Sequence, residues 1–274
     1  MNLKKSLLAT ALLSACAGSG NSGEHLGDAG VATSIPAAIL GEAAPPRGSA
    51  IQYFSSDSQA VGYLAVPEGD GPFPALILIH EWNGLVDRVR QVADALADEG
   101  YVALAADLYH GQIGSNRDEN IALMTAARED MEVVISNLDA AQAYLRARED
   151  VEQKIGVMGW CFGGGIALSY GLGGEQHEAT AIFYGSLIEN PAVLAALDHP
   201  VYGTFAELDR GIPPDQVARF QAIMDSLGIE NDIHVYDHVD HGFWLRVGQA
   251  RQLREAPAAD AGERLKNFLM RALS

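Results

Sequence analysis

Three of the 274 residues have the types and order that acyl transfer requires: Cys161, Asp209 and His241. Cys161 lies in Gly159-Trp160-Cys161-Phe162-Gly163, the G-x-S-x-G arrangement of a nucleophile elbow with a thiol replacing the hydroxyl. Glycines on both sides let the turn close tightly. A helix starting there offers free amides and a positive dipole, and both favour a thiolate. Without that setting, a cysteine beside a Gly-rich turn is an ordinary buried residue. A thiol nucleophile needs a base, and the base needs an orienting acid. Downstream, Asp209 in Glu207-Leu208-Asp209-Arg210 and His241 in Asp240-His241-Gly242-Phe243 supply both. Glu207 and Asp215 are alternative acids at this point.

Two other patterns invite a metal reading. His234, His238 and His241, with Asp237 and Asp240 among them, have ligand types. If 232–236 is a strand, however, His234 belongs to the sheet and His241 to the loop beyond, so the three do not converge. His80-Glu81 opens like H-E-x-x-H, but Gly84 stands where the second histidine belongs. The expectation is therefore no metal and no organic cofactor. With 18 Lys plus Arg against 36 Asp plus Glu, the formal charge is −18, which repels phosphate backbones and excludes nucleic acid as a natural partner. Two cysteines, Cys16 and Cys161, build neither a disulfide framework nor a cysteine-rich zinc site.

The elements that must position these residues alternate between strand and helix. Residues 51–55 and 60–66 read as an opening hairpin. Continuous apolar runs at 75–80, 101–106, 154–159, 179–184, 201–206 and 232–236 read as strands covered on both faces. Helical spacing marks 88–99, 122–148 (as one or two helices), 163–171, 215–227 and 260–272. This alternation predicts an α/β fold with a doubly wound, mostly parallel sheet, helices on both faces and one domain over 50–274. Chemistry in such a sheet sits at the carboxyl ends of strands, where Cys161, Asp209 and His241 all fall. The order nucleophile, acid, histidine is that of α/β-hydrolases.

The N-terminus reads as an address. Lys4 and Lys5 precede the apolar run Leu7–Ala15, which is too short to span a bilayer and has the layout of a secretory signal. Leu13-Ser14-Ala15-Cys16 resembles the lipobox of bacterial lipoproteins, which implies cleavage after residue 15, acylation of Cys16 and a membrane anchored by lipid. Ala17 in place of Asp implies the outer membrane, facing the periplasm. Residues 16–49, rich in Gly, Ala, Ser and Pro, then read as the lipid-bearing Cys16 and a flexible tether.

His80-Glu81-Trp82-Asn83-Gly84-Leu85, Ala106-Asp107-Leu108-Tyr109, Gly159-Trp160-Cys161-Phe162-Gly163-Gly164, Asp209-Arg210-Gly211-Ile212-Pro213 and His241-Gly242-Phe243 together resemble the dienelactone hydrolase family of α/β-hydrolases. The resemblance covers about residues 50–272. It implies a triad of Cys161, His241 and Asp209, with Glu81 contacting the cysteine and helping to generate the thiolate once substrate displaces it. It implies an oxyanion hole made by the backbone N–H groups of Phe162 and Trp82. Tyr109, Trp82, Phe162, Trp160, Tyr184 and Trp244 are candidates to line an acyl pocket, although aromatics at strand ends are commonly core. The family's arginines for a substrate carboxylate have Arg117 and Arg246 as nearest counterparts, and neither aligns cleanly. The expected activity is hydrolysis of a small carboxylic ester or lactone through a thioester on Cys161. The competing reading is a catalytically silent binding lipoprotein on the same fold.

Overall fold

In the computed structural model, which describes residues 35–274, the apolar runs become strands of one eight-stranded sheet ordered β1-β2-β4-β3-β5-β6-β7-β8. The opening hairpin pairs β1 (Ser49–Gln52) with β2 (Val61–Ala65), and β2 continues antiparallel onto β4 (Val102–Ala106). All remaining pairs are parallel: β3 (Phe73–Ile79), β5 (Val151–Trp160), β6 (Ala179–Phe183), β7 (Val201–Ala206) and β8 (Asn231–Tyr236).

Period-two alternation divides the core between the two faces. Leu76, Leu78, Met158 and Trp160 point to the side covered by α2 (Asp87–Asp98) and α8 (Arg251–Ala272). Ala75, Ile77, Ile79 and Val157 meet the side covered by α3 (Arg117–Glu129), α4 (Met131–Arg146) and α5 (Phe162–Gly173). α6 (Pro191–Leu194) and α7 (Pro214–Ser226) close a third cluster over Ile182 and Phe205. The stretch expected as one or two helices is two, divided at Asp130, whose carboxylate accepts from the Val133 N–H and so caps α4.

The expected signal segment, Cys16 and most of the expected tether lie outside the described residues. The tether's last part departs from expectation. Residues 37–40 form a short helix, α1, that buries Ala38 and Ile39 against α2. Leu40 lies against the 247–249 turn, where a Cβ on Gly248 would sit 2.1 Å from its carbonyl oxygen. The Arg47 N–H donates to Asp94 at 3.0 Å. The apolar residues of this Pro- and Ala-rich stretch are too few to show a period, yet two suffice to dock it.

At the amino ends of β6 and β7 a buried chain of polar groups crosses the sheet. His177 Nδ1 faces the Glu175 carbonyl (3.1 Å), and its Nε2 faces the Thr180 hydroxyl (2.9 Å). That hydroxyl meets His199 Nε2 (2.8 Å), whose Nδ1 faces Asp198 (3.0 Å).

Candidate active site

From β3 the chain steps to β4 on one side and then to β5 on the other. The carboxyl ends of β3 and β5 therefore flank a topological switch point, where such sheets open a crevice. β5 runs into Cys161 and directly on into α5. Cys161 is held at φ 56°, ψ −114°, a conformation a non-glycine residue adopts only under constraint. A Cβ on Gly159 would lie 2.2 Å from the Gly163 carbonyl oxygen, and one on Gly163 would lie 2.2 Å from that of Ile79. The elbow glycines are thus required by close approach. The second contact also presses the start of α5 against the end of β3.

His241, in the loop after β8, places Nδ1 2.6 Å from Asp209 Oδ2. Asp209 is buried after β7, and its Oδ1 accepts from the N–H groups of Gly211 (2.8 Å) and Ile212 (3.2 Å). Burial alone would raise its pKa, but the His241 hydrogen bond and these amides outweigh that and lower it. The Cys161 sulfur lies close enough to the His241 ring to act on its charge. Burial works against charge on the ring, but Asp209 and the sulfur prevail and lift its pKa to about 10. Of the three acids left open by sequence, Asp209 is the one that meets His241. Glu207 instead accepts the His238 N–H (2.7 Å) and pairs with that ring at 3.3 Å, and Asp215 begins α7. His234 packs edge-on against Tyr236 and His238 is 85% exposed. Among the described residues no three such side chains are grouped as metal ligands.

Glu81 differs from expectation. Rather than hydrogen-bonding Cys161, its Oε1 accepts from Arg246 Nη2 at 3.0 Å, with the carboxylate almost wholly buried. The extra residue between His241 and Arg246, relative to the family spacing, does not keep the arginine away. The Leu245–Arg246 stretch is fixed by Arg88 Nη1 donating to the Leu245 carbonyl (2.8 Å) and Arg254 Nη1 to the Arg246 carbonyl (2.8 Å). Arg246 thus reaches the site and is already paired. Arg117 does not reach it, being exposed in the first turn of α3. Arg128, at the other end of that helix, lies 5.7 Å from the Phe162 ring centroid. Sequence offered no signal for Arg128, because its place depends on how α3 docks.

Among the described residues, neither the Phe162 nor the Trp82 backbone N–H has an acceptor. Both are free to meet a ligand oxygen. Tyr184 lies edge-on to His241 with centroids 5.1 Å apart, and Tyr109 lies 5.5 Å from Phe162. The Tyr109 hydroxyl is buried without a partner. Trp160 and Trp244 stack on each other at 5.9 Å within the core and form a floor beneath the site rather than an open wall.

Comparison with known proteins identifies the family. The dienelactone hydrolase family pattern matches residues 61–273. A Methylorubrum extorquens protein named "Putative carboxymethylenebutenolidase" is 29% identical over 252 residues, covering 87% of this chain and 83% of that one. A dienelactone hydrolase-like promiscuous phosphotriesterase from metagenomic libraries superposes with TM-score 0.72 at 18% identity, over 84% of this chain and 100% of the other. An esterase of Thermogutta terrifontis gives 0.61 at 18% identity, over 82% and 92%. The chain belongs to the dienelactone hydrolase family of α/β-hydrolases and is a hydrolase of ester bonds.

Proposed function

We propose that this hydrolase cleaves small carboxylic esters or lactones through a thioester on Cys161, with His241 as acid and base and Asp209 as its orienting partner. The observation that carries the reading is the His241 ring, hydrogen-bonded to Asp209 at 2.6 Å and close enough to the Cys161 sulfur to feel its charge. Asp209 and the nearby sulfur favour the protonated ring, and bond formation at the sulfur would remove part of that hold and free the proton for a leaving group. Sulfur adds to the ester carbonyl, and the oxyanion is received by the N–H groups of Phe162 and Trp82. As the tetrahedral adduct collapses, His241 passes its proton to the leaving alkoxide. Acylation removes the negative charge that held the proton on His241, so the now neutral ring takes one from water. The resulting hydroxide attacks the thioester, and collapse returns the sulfur anion beside the imidazolium. Ester and water become acid and alcohol.

Glu81 is paired with Arg246, and among the described residues it makes no hydrogen bond to Cys161. An anionic substrate group reaching Arg246 would compete with Glu81 and set that side chain moving. The names of the relatives point to carboxymethylenebutenolide-like lactones and to esters. The test is initial rates on a panel of short activated esters and lactones for the full chain and Cys161→Ala. A fall of several orders of magnitude supports the nucleophile. Equal rates would overturn it, and silence of the wild type on the whole panel would favour the binding-protein reading. We further propose that the chain is an exported lipoprotein acylated at Cys16, on the strength of Lys4, Lys5, Leu7–Ala15 and the lipobox-like residues before Cys16. Cys16→Ala should abolish labelling by radioactive palmitate, and persistent labelling would refute the anchor.

A further inference from the structure

His80 stands directly before Glu81 at the end of β3 and is wholly buried. Nothing in the thioester cycle uses it. Its Nδ1 lies 2.6 Å from the Glu81 carbonyl oxygen, and its Nε2 lies 3.2 Å from the Leu108 backbone nitrogen. These partners fix the tautomer. A carbonyl only accepts, so Nδ1 carries hydrogen; a backbone N–H only donates, so Nε2 is bare. The ring is neutral and fully used. Burial, which lowers its pKa against the opposing pull of the Glu81 carbonyl and Asp107, keeps it so. Tyr109 edge-on at 4.6 Å and Phe162 stacked at 6.0 Å hold its plane.

The carbonyl that His80 grips belongs to the peptide joining Glu81 to Trp82. In a planar trans peptide the C=O and N–H point in opposite directions, so fixing the Glu81 oxygen aims the Trp82 N–H. Gly84 N–H donates to the same oxygen at 3.2 Å, but it belongs to the same loop and moves with it. His80 ties the peptide to a different strand end, through Leu108 after β4. We propose that His80 is a positioning residue that sets the direction of the Trp82 oxyanion donor. The inference rests on the Trp82 role proposed above.

The experiment compares His80→Leu, His80→Asn and His80→Gln in the full chain. Two readouts are taken: kcat and KM for a short activated ester, and the rate of Cys161 alkylation by iodoacetamide. Alkylation is a displacement at saturated carbon and develops no oxyanion. Asn puts an amide NH2 in the place of Nδ1, whereas Gln puts the same group one bond further out. Because full loss of an oxyanion donor costs about 100- to 1,000-fold, a misdirected one in His80→Leu should lower kcat about 10- to 100-fold. KM and the alkylation rate should stay within about 3-fold of wild type, since neither depends on that donor. His80→Asn should recover most of the loss and His80→Gln should not, a contrast that survives if the Leu variant fails to fold. Unchanged kcat in His80→Leu, equal rates for Asn and Gln, or alkylation falling in step with kcat would overturn the proposal. Retention of ester turnover by Cys161→Ala would overturn the nucleophile instead, while the Asn and Gln contrast still decides the role of His80.

Discussion

The buried chain from His177 to Asp198 makes the fold sensitive to acid by an amount the structure sets. Both ends of the chain, the Glu175 carbonyl and the Asp198 carboxylate, only accept, so its four contacts need four hydrogens. Two neutral imidazoles and one hydroxyl supply three. A proton on His177 would fill the gap, but burial, the neighbouring His199 ring 4.3 Å away and Arg146 on α4 oppose it, outweighing the Glu175 carbonyl and Asp198. The pKa of His177 falls to about 4, against about 6.5 in an unfolded chain. The fold therefore prefers the neutral ring. Its contribution is complete above about pH 6.5 and is lost as the pH falls towards 4. Linkage gives a loss of about 2 kcal/mol between about pH 7.5 and about pH 5 for this one residue. His177→Gln keeps a polar contact to Thr180 but does not titrate. Urea unfolding of wild type and variant at the two pH values isolates the residue, because carboxylates and His199 are common to both. The stability difference should shift by about 2 kcal/mol in favour of the variant on acidification. A constant difference would refute the account of His177 as a buried neutral ring.

Asp209→Asn should lower kcat about 1,000- to 10,000-fold by losing the acceptor for the His241 Nδ1–H, whereas Glu207→Gln, which faces His238, should leave it nearly unchanged; steady-state rates on one ester decide. Tyr109→Phe removes a buried hydroxyl without a partner, so urea unfolding should show unchanged stability or a gain of up to about 1 kcal/mol. Arg246→Met strands the Glu81 carboxylate and should cost about 1–3 kcal/mol in the same assay, since the arginine is partly exposed. Adding Glu81→Gln should restore most of it. A chain shortened to begin at residue 50 loses the docking of Ile39 and should unfold with about 2–3 kcal/mol less stability than one beginning at residue 17.

The parallel strands were legible because strands buried on both faces leave unbroken apolar runs, and 201–206 is found to the residue. α8 begins at Arg251 rather than near Asp260, with Pro257 inside it; its early turns carry Arg251 and Glu255 outward and bury little, so they show no apolar period. Within the candidate site, the pairing of Asp209 with His241 was legible because chemistry constrains residue type there. The site was not legible where the partner is chosen by packing. Glu81 pairs with Arg246 because Arg88 and Arg254 fix the loop between β8 and α8, Arg128 stands near Phe162 because α3 docks there, and Trp160 and Trp244 face inward. His80 was visible as half of a metal motif. Its contacts with the Glu81 carbonyl and the Leu108 amide needed the fold.

The docking of α1 has a mechanical side. Leu40 presses on Gly248, two residues from Arg246, and Gly41 lies close to the Arg88 guanidinium that holds the Leu245 carbonyl. The polypeptide enters the domain at the corner that carries the Glu81–Arg246 pair. A force applied through the N-terminal segment would be borne there first, before any strand of the sheet felt it. The turn that carries Arg246 is thus in direct contact with α1, and a displacement of α1 would bear on the Glu81–Arg246 pair before it bore on the sheet.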